Sequence, residues 1–392
     1  MLLALALLVP RADAAYILGV GEDVALPVGG NFARVAVADD GEYTLFWAAG
    51  GDYNHLPLAH DLSLNDQEQV HMTGRTDLID HAIRRCPDGT WLHAASLNVT
   101  DMNDTARVFI YDAQLNLTNE VLLDDQNPDI RHNDMALLCS DHVMVGFASS
   151  EGGYQWLFEL DDDGTELQRT EVDAPTQLMG GGLWEDSAGN VNLVGRPSGF
   201  DMQMTELDAE LGIVESVSVP EMSPGGGTAY WPQGVIRVGD YVLVAHMGRE
   251  SDSGWNQDTG NVYLSVVSIA DKELVEQVAI TSYEPGDGAM RPWAARDGDD
   301  LVLTWDKQLA PHVTRVTIDP AALGEGPGDT GGGDDTADSG AGATGDRLAY
   351  DGGGCGCATA PDGGGLAGAL LVATMAFCRR STQALAPRAP RR

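Results

Sequence analysis

Basic side chains are scarce in this chain. It holds 22 Lys and Arg against 60 Asp and Glu in 392 residues, a formal net charge of -38 at pH 7. So large an excess of one sign argues against nucleic acid or an anionic membrane surface as a partner, because both repel it. A solvated acidic surface explains the excess better than a dedicated store of cations. Catalytic signatures are lacking too. There is no G-x-S-x-G nucleophile elbow, no H-E-x-x-H zinc helix and no Walker loop. The triglycines at 180–182 and 225–227 lack the strand–helix unit that phosphate loops need. Asp88-Gly89-Thr90-Trp91 misses the Ser-x-Asp-x-Gly-x-x-Trp spacing of a sialidase Asp-box. Cysteine is limited to five residues. No metal-ligand spacing includes Cys86 or Cys139, and neither a metal nor a cofactor is expected.

What the sequence does contain is a repeat. Around Cys86 an apolar run, a tight turn at 87–89 and a second apolar run from Trp91 read as strand, turn, strand. Comparable turns stand at 39–41, 140–141, 186–189, 239–240 and 297–299, roughly 50 residues apart, near the upper end of the periods of strand-only propeller blades. Two further runs follow each of the middle turns. They are joined by Asp-Ala-Gln-Leu-Asn, Asp-Asp-Asp-Gly-Thr and Asp-Ala-Glu-Leu-Gly in the second, third and fourth units. Asp, Asn and Gly suit hairpin turns because they tolerate positive φ. Val, Ile, Leu, Tyr and Trp dominate the runs, as pleated, half-buried strands require. Regular short strands also occur in packed sandwiches. The four-strand unit repeated about six times points instead to an all-β protein, a β-propeller of about six four-stranded blades. The last unit is one strand short, and residues 16–26 are placed to supply that strand and close the ring, hiding its free edges.

Outside the repeats, residues 1–14 read as a secretory signal: an apolar stretch at 2–9, then Ala12-Asp13-Ala14 as an A-x-A cleavage pattern, with no basic n-region. Export implies an oxidising compartment. Cys86 and Cys139 close the first strands of neighbouring units, so a disulfide between them is expected if their Cα atoms come within about 7 Å; two buried thiols are the alternative. Asn98, Asn103 and Asn116 match the N-glycosylation pattern. The propeller domain is expected to span 15–322. Residues 323–351 read as a disordered acidic linker, because 324–345 is largely Gly, Asp, Thr, Ser and Ala with scarcely an apolar side chain.

The C-terminal segment, 352–392, carries Gly352-Gly353-Gly354-Cys355-Gly356-Cys357, an apolar run at 366–378 and then Arg379-Arg380. The run is short for an independent membrane span, which needs about 20 residues, and the arginines would hold its end in the cytoplasm. A Gly-Cys motif, a short hydrophobic helix and an Arg cluster in this order resemble the MYXO-CTERM sorting tail of myxobacterial surface proteins. The resemblance covers about 352–380. It implies processing at Cys355 or Cys357 by a sorting machinery, membrane attachment through this segment, and delivery to the cell surface or outer membrane, anchored or released. Residues 381–392 extend past the pattern.

Propellers bind ligands at one mouth of the central channel, where the first strands begin. Asp80, His81, Arg131, His132, Asp134, Trp231, Gln233, Arg291 and Trp293 fall at those positions. Trp231 and Trp293 suit a sugar face, Arg131 and Arg291 a carboxylate, and Asp80 or Asp134 with His81 or His132 a proton transfer. Against this, inner-strand Trp is commonly core, and Arg and Asp of adjacent blades commonly pair. Two functions follow. One is a surface-displayed module that binds an extracellular glycan or protein. The other is an extracellular polysaccharide hydrolase or lyase with its active site at the mouth. The absent catalytic motifs favour the binder.

Overall fold

The computed structural model describes residues 15–38, 41–49, 52–64, 69–72, 78–100, 103–123, 132–140, 143–149, 155–172, 181–196, 201–224, 228–249, 260–284 and 287–325. These form six antiparallel blades, with a 3-10 turn at Pro220–Met222 as the helical element among them. Blade 1 comprises Asn31–Val37, Tyr43–Ala49, Asp52–Leu58 and Gln69–Met72. Blade 2 comprises Leu78–Arg85, Trp91–Thr100, Asn103–Tyr111 and Leu117–Leu122. Blade 3 comprises His132–Cys139, Val143–Ser149, Gln155–Leu160 and Glu166–Val172. Blade 4 comprises Gly182–Glu185, Val191–Gly195, Met202–Leu207 and Ile213–Val219. Blade 5 comprises Thr228–Val238, Tyr241–Arg249, Asn261–Ser268 and Leu274–Ala279. Blade 6 comprises Ala289–Asp297, Asp300–Lys307 and Ala310–Ile318.

The chain's own start completes blade 6. Ile17–Val20 lies antiparallel to Ala310–Ile318, with Ile17 opposite Ile318, and Val24–Ala25 pairs further along the same strand. Side-chain anchors reinforce this strap. Glu276 accepts from the backbone N–H of Tyr16 at 2.7 Å and of Ile17 at 3.1 Å. Asp23 pairs with His312 at 2.6 Å.

First strands of successive blades pack against one another, so they form the inner wall of the ring. The apolar core fills the spaces between blades. Ala136, Leu138 and Leu157 of blade 3 meet Leu183, Leu193 and Leu207 of blade 4. Trp184 and Val194 of blade 4 meet Val235 and Val244 of blade 5. Alternation along each strand sends one face to each neighbour, which is why the inner strands are apolar on both sides.

The hairpin turns are built by a repeated local device. In blades 2, 3 and 4 the outer turns open with Asp112, Asp161 and Asp208. Each carboxylate accepts the backbone N–H groups two and four residues on, at 2.6–3.1 Å. The residue three on is left-handed: Leu115 (φ 62°), Gly164 (φ 82°) and Leu211 (φ 61°). Asp186 does the same in the inner turn of blade 4, before Gly189 (φ 86°). Cys86 occupies the equivalent place in blade 2, where Gly89 (φ 86°) donates back to its carbonyl at 2.8 Å. Cys139 ends the first strand of blade 3. The two Cα atoms lie 5.3 Å apart and the sulfurs are bonded, which staples blades 2 and 3.

Candidate functional site

The first strands do not run straight into the channel. Registers slip between Asn31 and Arg34 in blade 1, Tyr230 and Gly234 in blade 5, and Met290 and Trp293 in blade 6. One residue inside each slip is left-handed without being glycine: Phe32 (φ 58°), Trp231 (φ 48°) and Arg291 (φ 51°). A bulge bends a strand and re-aims the side chain it carries. Each such backbone costs about 1–3 kcal/mol and persists only where the surroundings impose it.

Those surroundings are side chains reaching across from other blades. In blade 1, Asp306 accepts from the N–H of Phe32 at 2.8 Å and of Ala33 at 3.1 Å, and Thr304 donates to the Ala33 carbonyl at 3.0 Å. His81 donates from Nε2 to the Phe32 carbonyl at 2.7 Å. In blades 5 and 6 the left-handed residue is followed by Pro232 and Pro292. Proline has no N–H, so the donor that Asp306 satisfies in blade 1 does not exist there.

Below the bulges a polar knot links the inner strands. Arg34, fully buried on the inner strand of blade 1, spends its guanidinium on five acceptors. Nε donates to the His81 carbonyl at 3.1 Å, and Nη1 donates to the Ala33 carbonyl at 3.1 Å and the Arg291 carbonyl at 3.0 Å. Nη2 reaches Asp80 Oδ1 at 3.1 Å and Gln233 Oε1 at 2.8 Å. Asp80 Oδ2 accepts from the Met135 N–H at 2.8 Å and from Gln233 Nε2, which also reaches the Met135 carbonyl at 3.2 Å. Blades 1, 2, 3, 5 and 6 are thus tied together through three side chains. Trp293 lies beside the knot. The Arg34 and Arg84 guanidiniums sit 5.1 and 4.7 Å from its ring centroid, and its indole N–H donates to the Val35 carbonyl at 3.0 Å.

At the upper edge the character changes from a knot to a layer of rings and guanidiniums. Arg291 lies 4.1 Å from the Phe32 ring and 5.7 Å from the Trp231 ring, with Nη1 at 3.4 Å from Asp306 Oδ2. Tyr230 lies beside Trp231 and is flanked by Arg196 at 3.9 Å and Arg249 at 5.2 Å. Arg196 directly follows the second strand of blade 4, Val191–Gly195. Arg249 is the last residue of the second strand of blade 5 and pairs across to Thr228. Both therefore reach the same end of the ring as Trp231 and Arg291. Burial lowers the Arg249 pKa; Tyr230 acts against that, and the Arg196 guanidinium adds to it.

The structure thus brings six of the expected residues together in two tiers. Asp80, His81, Gln233 and Trp293 are buried in and around the knot, while Trp231 and Arg291 sit above it. His132 and Asp134 lie on the inner strand of blade 3, but their side chains fall outside the described residues, as does all of Arg131. Cys355, Cys357, the signal at 1–14 and the segment beyond 325 also lie outside them. Among the described residues no helix is long and apolar enough to cross a membrane and no cluster suits a metal ion. Sequence reasoning did not single out Arg34, Asp306 or Arg196. Arg34 left one trace, a lone charge inside the apolar run Phe32-Ala33-Arg34-Val35-Ala36-Val37.

No family model and no curated protein matches this chain. Solved structures do. A protein of unknown function from Dyadobacter fermentans aligns with a TM-score of 0.58 at 12% identity, over 77% of this chain and 100% of that one. A subtype N10 neuraminidase-like protein of A/little yellow-shouldered bat/Guatemala/060/2010 aligns at 0.51 and 11% identity, over 78% and 100%. A neuraminidase-like protein from A/bat/Guatemala/164/2009 aligns at 0.50 and 12% identity, over 78% and 94%. At such identities the likeness is one of fold alone, and what the chain shares with these proteins is the propeller.

Proposed function

We propose that this protein is an exported propeller that binds an extracellular glycan or protein at the bulged end of its channel, and that it does not hydrolyse polysaccharide there. One observation carries the reading: Asp80, a candidate acid or base, is buried, bonded to Arg34 and Gln233, and accepts the Met135 N–H. A carboxylate whose oxygens are committed in this way has neither the access nor the freedom to exchange a proton with a substrate. The disulfide between Cys86 and Cys139 supports export to an oxidising compartment. With the MYXO-CTERM-like tail, it favours display at the cell surface on an acidic stalk. Neuraminidase-like neighbours share the fold, and fold alone does not assign hydrolysis.

The test is a panel of polysaccharides and glycans incubated with the purified chain, read for binding and product release together. Binding without product is expected. Product release that disappears in Asp80→Asn, with the melting profile preserved, would replace the binder with the hydrolase or lyase.

A further inference from the structure

We propose that Glu276 is the seat of the α-ammonium group that leader removal creates at Ala15, and that this ion pair locks the strap that closes the ring. The proposal rests on the export half of the reading above, not on the binding half.

Three observations lead to it. First, Tyr16 is fixed from several sides. Its N–H donates to Glu276 Oε2 at 2.7 Å, its carbonyl accepts from the Asp319 N–H at 2.9 Å, and its hydroxyl stands 3.2 Å from that of Tyr241. The Ala15 nitrogen is one residue upstream, about 3 to 3.6 Å from that of Tyr16 by covalent geometry. Ala15 is exposed and free to turn, so its nitrogen can reach the same carboxylate with the strap in place. Second, half-buried Glu276, on the outer strand of blade 5, has capacity left. Its Oε2 takes the N–H groups of Tyr16 and Ile17 at 2.7 and 3.1 Å. Its Oε1 accepts from no group among the described residues, and no lysine, arginine or histidine there pairs with the carboxylate. Third, the pattern Ala12-Asp13-Ala14 puts the cut between Ala14 and Ala15. Hydrolysis adds the hydroxyl of water to the Ala14 carbonyl carbon and a proton to the Ala15 nitrogen, and the amine so freed takes a further proton at neutral pH. A neutral amide thus becomes a cation with three donors, beside a carboxylate that has no cation.

The consequence is a link between maturation and ring closure. A chain that still carries 1–14 holds its strap by backbone pairing, by the Asp23–His312 pair and by neutral amides on Glu276. Hydrogen bonds between ionised groups are about twice as strong as neutral ones, and a half-buried pair is screened less than an exposed one. Removing the leader therefore tightens the one strand that completes blade 6.

The experiment uses the full exported chain. N-terminal sequencing reads the cut, and amide hydrogen exchange at 17–20 reads the strap. The mature chain is compared with the same chain acetylated at its α-amino group, with an Ala12→Leu/Ala14→Leu variant that retains 1–14, and with Glu276→Gln bearing free and acetylated termini. Amides of Val191–Gly195 in blade 4 serve as the reference. A chain beginning at Ala15 is expected. Acetylation should speed strap exchange by about threefold or more and leave the reference unchanged. The leader-bearing variant should exchange at least as fast as the acetylated chain. Acetylating Glu276→Gln should add nothing, which separates the ion pair from the bonds that Glu276 makes to neutral amides. The acetylation arm needs no variant, so the test stands even if Glu276→Gln fails to fold. A mature chain that keeps 1–14 or begins beyond Tyr16 would overturn the proposal together with the cleavage it rests on. A correct cut with no effect of acetylation, or with an equal effect in Glu276→Gln, would overturn the seat and leave export intact.

Discussion

Arg34 and Asp80 meet at 3.1 Å with side chains 0% and 4% exposed, and between them they tie the inner strands of blades 1 and 2 together. A buried pair is costly to form and more costly to break, because the survivor stays charged without a partner. Asp80→Ala is expected to lower stability by about 3–5 kcal/mol. The double change Arg34→Met/Asp80→Leu should cost less than the sum of the single changes. A double-mutant cycle read by denaturant unfolding checks this. Additive losses would mean that the two residues act independently.

The disulfide closes a loop with a sequence separation of 53. Loop-closure entropy for that length is worth about 4 kcal/mol. Thermal melts with and without reductant should therefore separate clearly for the native chain. They should coincide for Cys86→Ser/Cys139→Ser, at the lower of the two temperatures. A reductant effect that survives in the double variant would place the effect elsewhere.

Buried His246 gives a pH signature. Burial pushes its pKa down to about 4, the Met247 carbonyl opposes that shift, and Ser265 faces Nε2 at 2.8 Å. The ring is neutral when folded, whereas in the unfolded chain it takes a proton near its ordinary 6.5. Its contribution is therefore complete above pH 6.5 and lost as pH falls from 6.5 to about 4, a loss of about 3 kcal/mol by linkage. Unfolding free energies of the native chain and of His246→Gln, compared at pH 7 and pH 4.5, should converge at the lower pH. A constant difference would rule out a neutral buried imidazole.

Gly182 begins the inner strand of blade 4 where it touches blade 5. A Cβ there would lie 2.0 Å from Val235 Cγ2 and 2.7 Å from the Pro232 carbonyl oxygen. A neighbouring backbone cannot give way cheaply, so Gly182→Ala should cost about 1–3 kcal/mol. Gly19→Ala, where a Cβ meets nothing within 4 Å, should be nearly silent. Equal melting temperatures for the two variants would contradict this packing.

The turns were legible in the sequence because their cause is local. Asp112, Asp161 and Asp208 cap turns within four residues, and that chemistry is visible in the string itself. The incomplete last unit was legible by counting, and the strap from Ile17 to Val20 fills it. The knot was not legible. Arg34 is defined by acceptors on His81, Asp80, Gln233 and Arg291, and their meeting depends on ring closure. The positions of Trp231 and Arg291 could be read, but their direction could not. A left-handed residue before proline is a tertiary imposition, contrary to the extended backbone that a following proline favours.

Closure by the strap also sets an order of events. Ile17 emerges ahead of all six blades from any synthesising or exporting machinery, yet its partner Ile318 emerges only after the other five blades. Blades 1 to 5 can pair their own strands as they appear. Blade 6 cannot be completed, nor can Asp306 meet the Phe32 amide, until nearly the whole ring has been delivered. Such distant pairing folds slowly. Before closure, the free edge of Ala310–Ile318 is open to any other strand. The last stitch is the one most exposed to error, and a neighbouring copy's first strand is the natural thread to be caught in it.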